Sequence, residues 1–301
     1  MTLSAGRGGG ALVAVGTGIR IVGQLTTEAI AWMRRADRLL YVVNDAVAEA
    51  TIRGLNPAAE SLFGLYAEGS PRHRTYLAMV GRILDSVRAG GVTCAVTYGH
   101  PGVFAWPIHE AIRLARAEGY PATMLPAVSA EDCLFADLGV DPARHGCQSY
   151  EATDFLLHRR SVDVASDVIL WQVGAVGDPN YHAGDYDLSL LPLLSERLAR
   201  IYPEGHLGYV YEAAVHPGAD PYISPVPLGL LHQARLSSSS TLYIPAARAP
   251  EVDAVVRDRL EALASGPFRE PPPAAGPREP SDDAPSATPG GRAPDRSSRQ
   301  L

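Results

Sequence analysis

The sequence predicts an α/β fold with two domains. Short apolar runs typical of buried strands alternate with amphipathic segments, a pattern that indicates crossover units and a mainly parallel sheet. The first strands are predicted at Ala11–Val15, Leu39–Val43 and Val92–Thr97. The chain has 301 residues, of which 46% are hydrophobic, so it is long enough for one large domain or two ordinary ones. We place the boundary between two α/β halves near Pro126.

The helices of the first half are predicted from their end signals. Thr26-Thr27-Glu28 opens one helical pattern, and a second amphipathic helix covers about Tyr76–Val87. Pro107 begins a third helix and Gly119 ends it, which is the usual placement of these two residue types. Ala122–Leu125 follows as a strand.

The second half begins with a helix signal and continues with strands. Ser129-Ala130-Glu131-Asp132 resembles a capping box before the apolar run Cys133–Leu138. Further buried strands are predicted at Val168–Trp171, Leu207–Tyr211 and Thr241–Ile244.

The predicted organisation has five parts. They are a flexible N-terminus (1–10), an N-terminal α/β domain (11–125), a C-terminal α/β domain (126–248), one further helix within 249–266 and a disordered tail (267–301). The tail contains nine prolines in 35 residues and almost no large apolar residue. Such a segment buries too little surface to offset the entropy of ordering it.

Composition excludes several classes of protein. A net charge of −7 argues against a general nucleic-acid binder, which needs a basic face. No apolar run reaches the ~18–20 residues of a membrane span, and the N-terminus lacks a secretory signal. Three scattered cysteines and nine histidines without ligand spacing predict no metal site. The chain has no lysine, which excludes Schiff-base and P-loop chemistry. We expect a cytoplasmic protein.

Gly16-Thr17-Gly18 follows the first strand and suggests a dinucleotide-binding turn. The G-x-G-x-x-G fingerprint needs a third glycine where Ile21 stands, so a tight strand-to-helix turn is the favoured interpretation. Walker A, HExxH and G-x-S-x-G motifs are absent from the sequence.

The loop Tyr98–Phe104, with sequence Tyr-Gly-His-Pro-Gly-Val-Phe, is the stronger candidate site. It follows a predicted buried strand, and ligands of open α/β sheets bind at the carboxyl ends of the strands. Gly99 and Gly102 let the backbone approach a ligand, while His100 supplies a polar group. A plain Gly-Pro turn is the alternative.

This loop resembles the Gly-Asp-Pro-type loop of tetrapyrrole methylases, with His100 in place of the acid. Four further segments extend the similarity, and together they resemble the borosin α-N-methyltransferases, which methylate backbone amides of a ribosomal peptide; they are 124–132, 135–142, 169–174 and 239–245. The resemblance runs from about Val13 to Ala247. It implies a tetrapyrrole-methylase-like fold with S-adenosylmethionine (SAM) bound in the cleft between two α/β domains.

The resemblance also implies site residues. A cluster that matches the borosin catalytic region in spacing, with a tyrosine beside the methyl donor, consists of Tyr66, Arg72, Tyr76 and Tyr98. The implied SAM contacts are Tyr98, His100, Val103, Ser129, Ala130, Gln172, Ala213, Ser240 and Thr241. Structural alternatives stay open: packing for Tyr66 and Tyr76, a solvated turn for Arg72, a strand-end polar residue for Gln172, a helix cap for Ser129, and a solvent loop for 237–240.

These residue types suit amide methylation. A peptide N–H is a very weak acid because its nitrogen lone pair is delocalised into the carbonyl group. A nearby arginine favours the phenolate form of a tyrosine, which accepts or shares the amide proton. A guanidinium or a second phenol stabilises an imidate-like oxygen, as oxyanion-hole donors do.

The Pro-rich tail is a poor methylation substrate because proline has no N–H. We therefore expect a split system, with the precursor peptide on a separate chain; the resemblance implies a homodimer.

A tetrapyrrole-precursor C-methyltransferase is the first alternative function, and a non-catalytic subunit that binds SAM and peptide is the second. The Tyr66, Arg72 and Tyr76 cluster favours peptide N-methylation over both.

Overall fold

The computed structural model describes residues 9–43 and 45–264, which form two five-stranded sheets with helices packed on them. The first sheet is entirely parallel in strand order β3-β2-β4-β1-β5. Its strands are β1 (Gly10–Gly16), β2 (Arg38–Val42), β3 (Glu60–Ser61), β4 (Gly91–Thr97) and β5 (Ala122–Met124). Its helices are α1 (Ile21–Gln24), α2 (Thr27–Arg35), α3 (Ala46–Leu55), α4 (Arg72–Arg88) and α5 (Trp106–Ala117).

The helix-end signals of the first half act largely as the sequence predicts. The Thr26 side chain caps α2 by accepting a hydrogen bond from the Ala29 amide, and Gly119 has a positive φ of 87° just after α5. Helix α4 begins at Arg72, four residues before the predicted start at Tyr76. Helix α3 and strand β3 are additional to the prediction.

The second sheet is mixed, in strand order β6-β7-β10-β8-β9. Its strands are β6 (Cys147–Glu151), β7 (Asp167–Trp171), β8 (Leu207–Glu212), β9 (Tyr222–Pro227) and β10 (Thr241–Ile244). Only β6 and β7 pair in parallel; the other three pairs are antiparallel. The expectation of a mainly parallel sheet is therefore wrong for this half. The link 213–221 between β8 and β9 is shorter than the dozen residues that a parallel crossover needs.

The helices of the second half are α6 (Ala130–Leu138), α7 (Ala152–Leu157), α8 (Leu191–Ile201) and α9 (Ala254–Ala264). Ser129 and Asp132 form the complete capping box at the start of α6, as the sequence predicts. Short 3₁₀ turns lie at Phe63–Leu65, Val173–Ala175 and Leu228–Gln233. Helix α9 falls within the predicted span 249–266 and has no buried residue.

Both faces of the first sheet are covered. The side chains of β1 point alternately to the two faces. Val13 and Val15 pack in the core with α2 and α3, whereas Leu12 and Ala14 pack with α4 and α5. The second sheet has one core with α7 and α8 and another with α6, which Ile19 of the first half joins. This contact brings the two sheets together around one cleft.

Two predictions lie outside the described residues: flexibility of residues 1–8 and disorder of 267–301. Gly10, which we assigned to the flexible N-terminus, is already the first residue of β1. Among the described residues, no helix is both long and apolar enough to cross a membrane.

Candidate active site

Three parallel strands end side by side at the cleft. In the register of the sheet, Thr97 at the end of β4 lies beside Gly16 of β1 and Val42 of β2. The residues that follow each strand therefore meet at one edge, and Tyr98 is among them.

The Tyr98–Phe104 loop is pinned to the turn after β1. Gly18 and Gly99 exchange two backbone hydrogen bonds of 3.2 and 3.1 Å, and both have positive φ. A Cβ on Gly16 would lie 2.0 Å from the Gly99 carbonyl oxygen, so only glycine fits there. Gly16-Thr17-Gly18 is thus a tight turn that fixes the loop. The His100 Nδ1 accepts a hydrogen bond of 2.9 Å from the Gly102 amide, which tightens the loop further.

The opposite wall comes from the edge where β7 and β8 end and β10 begins. Gln172 follows β7 in the left-handed region with φ 58°, and Phe104 of the facing loop has φ 52°. For residues other than glycine this conformation costs about 1–2 kcal/mol, and such strain concentrates at functional sites. The Phe104 ring contacts the Trp171 ring across the cleft, with centroids 5.4 Å apart.

A cavity of about 550 Å³ lies between these walls. Eight of the nine residues implied as SAM contacts line it: Tyr98, His100, Val103, Ser129, Ala130, Gln172, Ala213 and Thr241. Ser129 lines the cavity and caps α6 at the same time, so the two interpretations of this residue are compatible.

Ser240 is the ninth residue and lies behind the wall, fully buried. Its hydroxyl donates to Glu212 Oε1 at 2.5 Å and accepts from the Ser237 amide at 2.8 Å. Glu212 itself lines the cavity. Ser240 therefore holds a cavity residue in place instead of forming the surface itself.

A second cavity of about 590 Å³ adjoins the first and shares Tyr98 and Gln172 with it. All four implied catalytic residues line it: Tyr66, Arg72, Tyr76 and Tyr98. A smaller apolar cavity of about 240 Å³ lies beside it, and Tyr66, Tyr76 and Tyr98 border both. The structure thus brings the two implied residue sets together in one continuous cleft.

Arg72 and Tyr76 are one turn apart on α4, because the helix starts at Arg72. The first turn contains no acidic residue, and a cation at this positive end of the helix dipole is unfavourable. The Arg72 guanidinium instead donates to the Asp178 carbonyl oxygen at 2.5 Å, and its amide donates to the Pro179 carbonyl at 3.0 Å. Arg72 is therefore held across the cleft and is not a solvated turn residue.

The hydroxyls of Tyr66 and Tyr98 are in surroundings that favour the neutral phenol. Burial, followed by the charge and hydrogen bond of Tyr76, raises the pKa of Tyr66; Arg72 lowers it by a smaller amount. The net direction is opposite to the phenolate that the sequence suggested for a tyrosine near Arg72. Partial removal from water raises the pKa of Tyr98 to about 12, although 47% of the residue's surface remains accessible.

Several cleft residues were not predicted. Tyr181 packs on Tyr66 with ring centroids 4.5 Å apart, and the Arg72 guanidinium lies 5.9 Å from the centre of the Tyr186 ring. Both belong to the loop between β7 and α8, which has no hydrophobic periodicity; its two tyrosines within six residues were the available signal. In the part of the chain that the structure describes, no group of three His, Cys, Asp or Glu could hold a metal ion.

Comparisons with known proteins agree with this architecture. The sequence pattern of the tetrapyrrole (corrin/porphyrin) methylases matches residues 11–215. Two solved structures of uroporphyrin-III C-methyltransferase from Thermus thermophilus, one complexed with S-adenosyl homocysteine, have TM-scores of 0.55 and 0.54. The matched regions cover 81% and 79% of this chain and 98% of each solved chain. The sequence identities are 19% and 16%, so the similarity is one of fold. The chain belongs to the tetrapyrrole methylase family.

Within that family its relatives are borosin-type methyltransferases. A protein of Dendrothele bispora named as a methyltransferase and ribosomally synthesised cyclic peptide dendrothelin A precursor is 41% identical over 261 residues, which are 85% of this chain and 63% of that protein. A type I borosin cyclic peptide precursor of Coprinopsis marcescibilis, also named as a methyltransferase, is 39% identical over 276 residues, 87% of this chain and 68% of its own length. The chain thus spans less than two thirds of the first relative.

Proposed function

We propose that this protein is a SAM-dependent methyltransferase that N-methylates backbone amides of a ribosomally made peptide. One observation carries the proposal: the implied SAM cavity and the Tyr66, Arg72 and Tyr76 cluster are adjoining parts of one cleft, with Tyr98 in both. The borosin-type relatives support the peptide substrate.

The first cavity has the features that a SAM site needs. Polar groups of both halves line it, among them His100, Gln172 and Glu212. The start of α6 at Ala130 also faces it, and a helix N-terminus presents backbone N–H groups without helical partners. Bound here, SAM supplies a methyl group activated on a sulfonium.

The chain's own residues handle the proton and the charge of the amide. Tyr76, which lines the second cavity, shares the amide proton as a phenol or accepts it as a phenolate while the nitrogen takes the methyl group. Tyr66 remains a phenol because burial raises its pKa, so its hydroxyl donates to the carbonyl oxygen as negative charge develops there. Arg72, held by the Asp178 and Pro179 carbonyls, adds a fixed positive charge to the same cavity.

The cavity of about 240 Å³ indicates the kind of side chain beside the reacting amide. Most of its lining is apolar, including Leu40, Met79 and Ile83, and it is bordered by Tyr66 and Tyr76. We propose that it takes an aliphatic side chain of the substrate, since apolar pockets favour apolar groups by the area they remove from water.

We further propose that the methylated amides lie on a peptide outside these 301 residues and that the enzyme acts as a cytoplasmic homodimer. The segment 267–301 is rich in proline, which offers no N–H, and it contains no run of valine or isoleucine.

The decisive experiment is mass spectrometry of the protein expressed with candidate precursor peptides. We expect successive additions of one methyl group, localised by fragmentation to backbone nitrogens of the peptide and absent from the 301-residue chain itself. Methylation of a tetrapyrrole precursor instead would overturn the proposal in favour of C-methylation. Binding of SAM and peptide without any methyl transfer would identify a non-catalytic subunit.

A further inference from the structure

Two segments from opposite halves run alongside each other at the mouth of the catalytic cavity. The Gly69 amide donates to the Tyr181 carbonyl at 2.9 Å, and the Tyr181 amide donates to the Ser70 carbonyl at 2.9 Å. The Arg72 amide donates to the Pro179 carbonyl at 3.0 Å. We call this contact between 66–72 and 178–183 the cross-cleft ladder.

His182 lies at the end of the cross-cleft ladder, between two carboxylates. Its Nδ1 is 2.6 Å from Glu68 Oε1 on the facing segment, and its Nε2 is 3.0 Å from Asp178 Oδ2 on its own segment. The second Glu68 oxygen accepts a hydrogen bond of 2.8 Å from the Ala183 amide. One imidazole therefore links both sides of the ladder.

The two carboxylate partners determine the protonation state of the His182 imidazole. Ionised carboxylates only accept hydrogen bonds, and a neutral imidazole has a single N–H, so only the imidazolium can donate to Glu68 and Asp178 together. The hydrogen bond to Glu68, followed by the charges of both carboxylates, raises the pKa of His182. The other groups near the ring are the Tyr186 hydroxyl, which accepts from the His182 amide, and the Arg72 guanidinium, which binds the Asp178 carbonyl.

The residues fixed by this linkage are the ones that the reaction uses. Asp178 binds His182 through its carboxylate and Arg72 through its carbonyl oxygen. Tyr181, the middle residue of the ladder, packs on the Tyr66 ring. We propose that His182 is a positioning residue, whose imidazolium closes the cross-cleft ladder and so holds Tyr66 and Arg72 against the reacting amide. This inference rests on the proposed function.

The linkage depends on pH in one direction. Because the carboxylates raise the pKa of His182, the ladder is fully closed below the ordinary histidine value of 6.5 and opens as pH rises through the raised value. Loss of the proton leaves a ring nitrogen lone pair facing a carboxylate oxygen, so one contact must break. Methyl transfer should therefore decline on the alkaline side before the phenol of Tyr98, with a pKa raised to about 12, titrates.

The test compares His182→Gln with His158→Gln. His158 also pairs with an aspartate, Asp154 at 2.9 Å, but within one short segment that lines none of the three cavities. In His182→Gln we expect single-turnover methylation to fall about 10- to 100-fold, as misplacement of positioned groups does, with unchanged affinity for S-adenosylhomocysteine. The alkaline decline should disappear with the histidine. His158→Gln should match the wild type in all three measurements.

A second readout does not depend on activity. Amide hydrogen exchange at Gly69, Arg72 and Tyr181 should show protection factors that fall at least tenfold in His182→Gln and in the wild type above the His182 pKa. The imidazole titration, followed by NMR, should move to lower pH in Glu68→Gln, which removes one negative charge. The inference would be overturned if His182→Gln had unchanged amide protection factors and an unchanged decline of the methylation rate at alkaline pH. If no peptide is ever methylated, the exchange and NMR results still decide whether His182 closes the ladder.

Discussion

At the scale of single residues, Tyr76 packs its ring in the first half and also lines the second cavity. Its ring lies among apolar side chains of the first half, with its centroid 6.5 Å from that of Trp106. Its neighbour one turn earlier, Arg72, brings positive charge to the same cavity. The two residues lie on one face of α4, and under the proposed function they act on one amide group.

We expect Tyr76→Phe to keep the fold and the affinity for S-adenosylhomocysteine, because only the hydroxyl is removed. Turnover should fall by about 10²–10⁴-fold, the usual contribution of a general acid or base. The measurement is single-turnover methylation of the true precursor peptide, with ligand affinity measured in parallel by calorimetry.

The double variant Arg72→Ala with Tyr76→Phe provides the control. Groups that act as one unit give losses that do not add, so the pair should be little slower than the slower single variant. Near wild-type rates in Tyr76→Phe would remove this assignment and make Tyr66 the next candidate for the base.

Much of the site could be predicted from sequence where a local motif carried it. The cap at Ser129 is of this kind, because its partner Asp132 is three residues away. The loop around His100 is so in part: its hydrogen bond to the Gly102 amide is local, whereas the turn at Gly18 pins Gly99. Tyr181, His182 and Glu212 could not be predicted in the same way. Each reaches the cleft through a partner distant in the chain, respectively Tyr66, Glu68 and Ser237.

At the scale of elements, the strands at the cleft were easier to predict than the segments that complete it. Strands β1, β4 and β10 are buried on both faces of their sheets. Their sequences are therefore short, mostly apolar runs, and such a run is enough to predict a strand. The start of α4 was missed because Arg72, His73 and Arg74 are poor first-turn residues, and contacts from 178–179 across the cleft compensate for them. The expectation of parallel strands fails for the second sheet because strand patterns in a sequence do not carry direction.

Two glycines should respond in opposite ways to the same substitution. Gly81 lies inside α4 with open space around an added Cβ, so Gly81→Ala should raise the free energy of unfolding by about 0.5–1 kcal/mol. Gly174 lies in the turn after Gln172, where a Cβ would stand 1.8 Å from the Ser237 carbonyl oxygen. Gly174→Ala should therefore displace the wall of the proposed SAM cavity and lower both stability and affinity for S-adenosylhomocysteine.

Denaturant unfolding and calorimetry of the two alanine variants separate these effects. Gly81→Ala should bind S-adenosylhomocysteine as the wild type does, since Gly81 lines none of the three cavities. Equal stability losses in both variants would contradict the argument from local space.

At the scale of the whole molecule, residues of both sheets line one cavity of the cleft. The first half contributes the Tyr98–Phe104 loop, and the second contributes Gln172, Ala213 and Thr241 to the same cavity. Without a ligand the halves already meet at the cross-cleft ladder, at Phe104 on Trp171 and through Ile19 in the core around α6. A molecule that fills this cavity touches both halves at once.

S-adenosylhomocysteine should therefore stabilise both halves together. At a concentration of one hundred times Kd, binding to the folded state alone adds about 2.7 kcal/mol to the free energy of unfolding. Hydrogen exchange should show added protection in β1 and β4 of the first sheet and in β7 and β10 of the second.

His100→Ala is the matched control, because it loses the hydrogen bond that shapes the loop. At the same ligand concentration the added protection should be smaller in both sheets, while the unliganded variant remains folded. Protection confined to one sheet would show that the ligand does not bridge the halves. Absence of binding by well-folded protein would exclude a SAM site in this cleft.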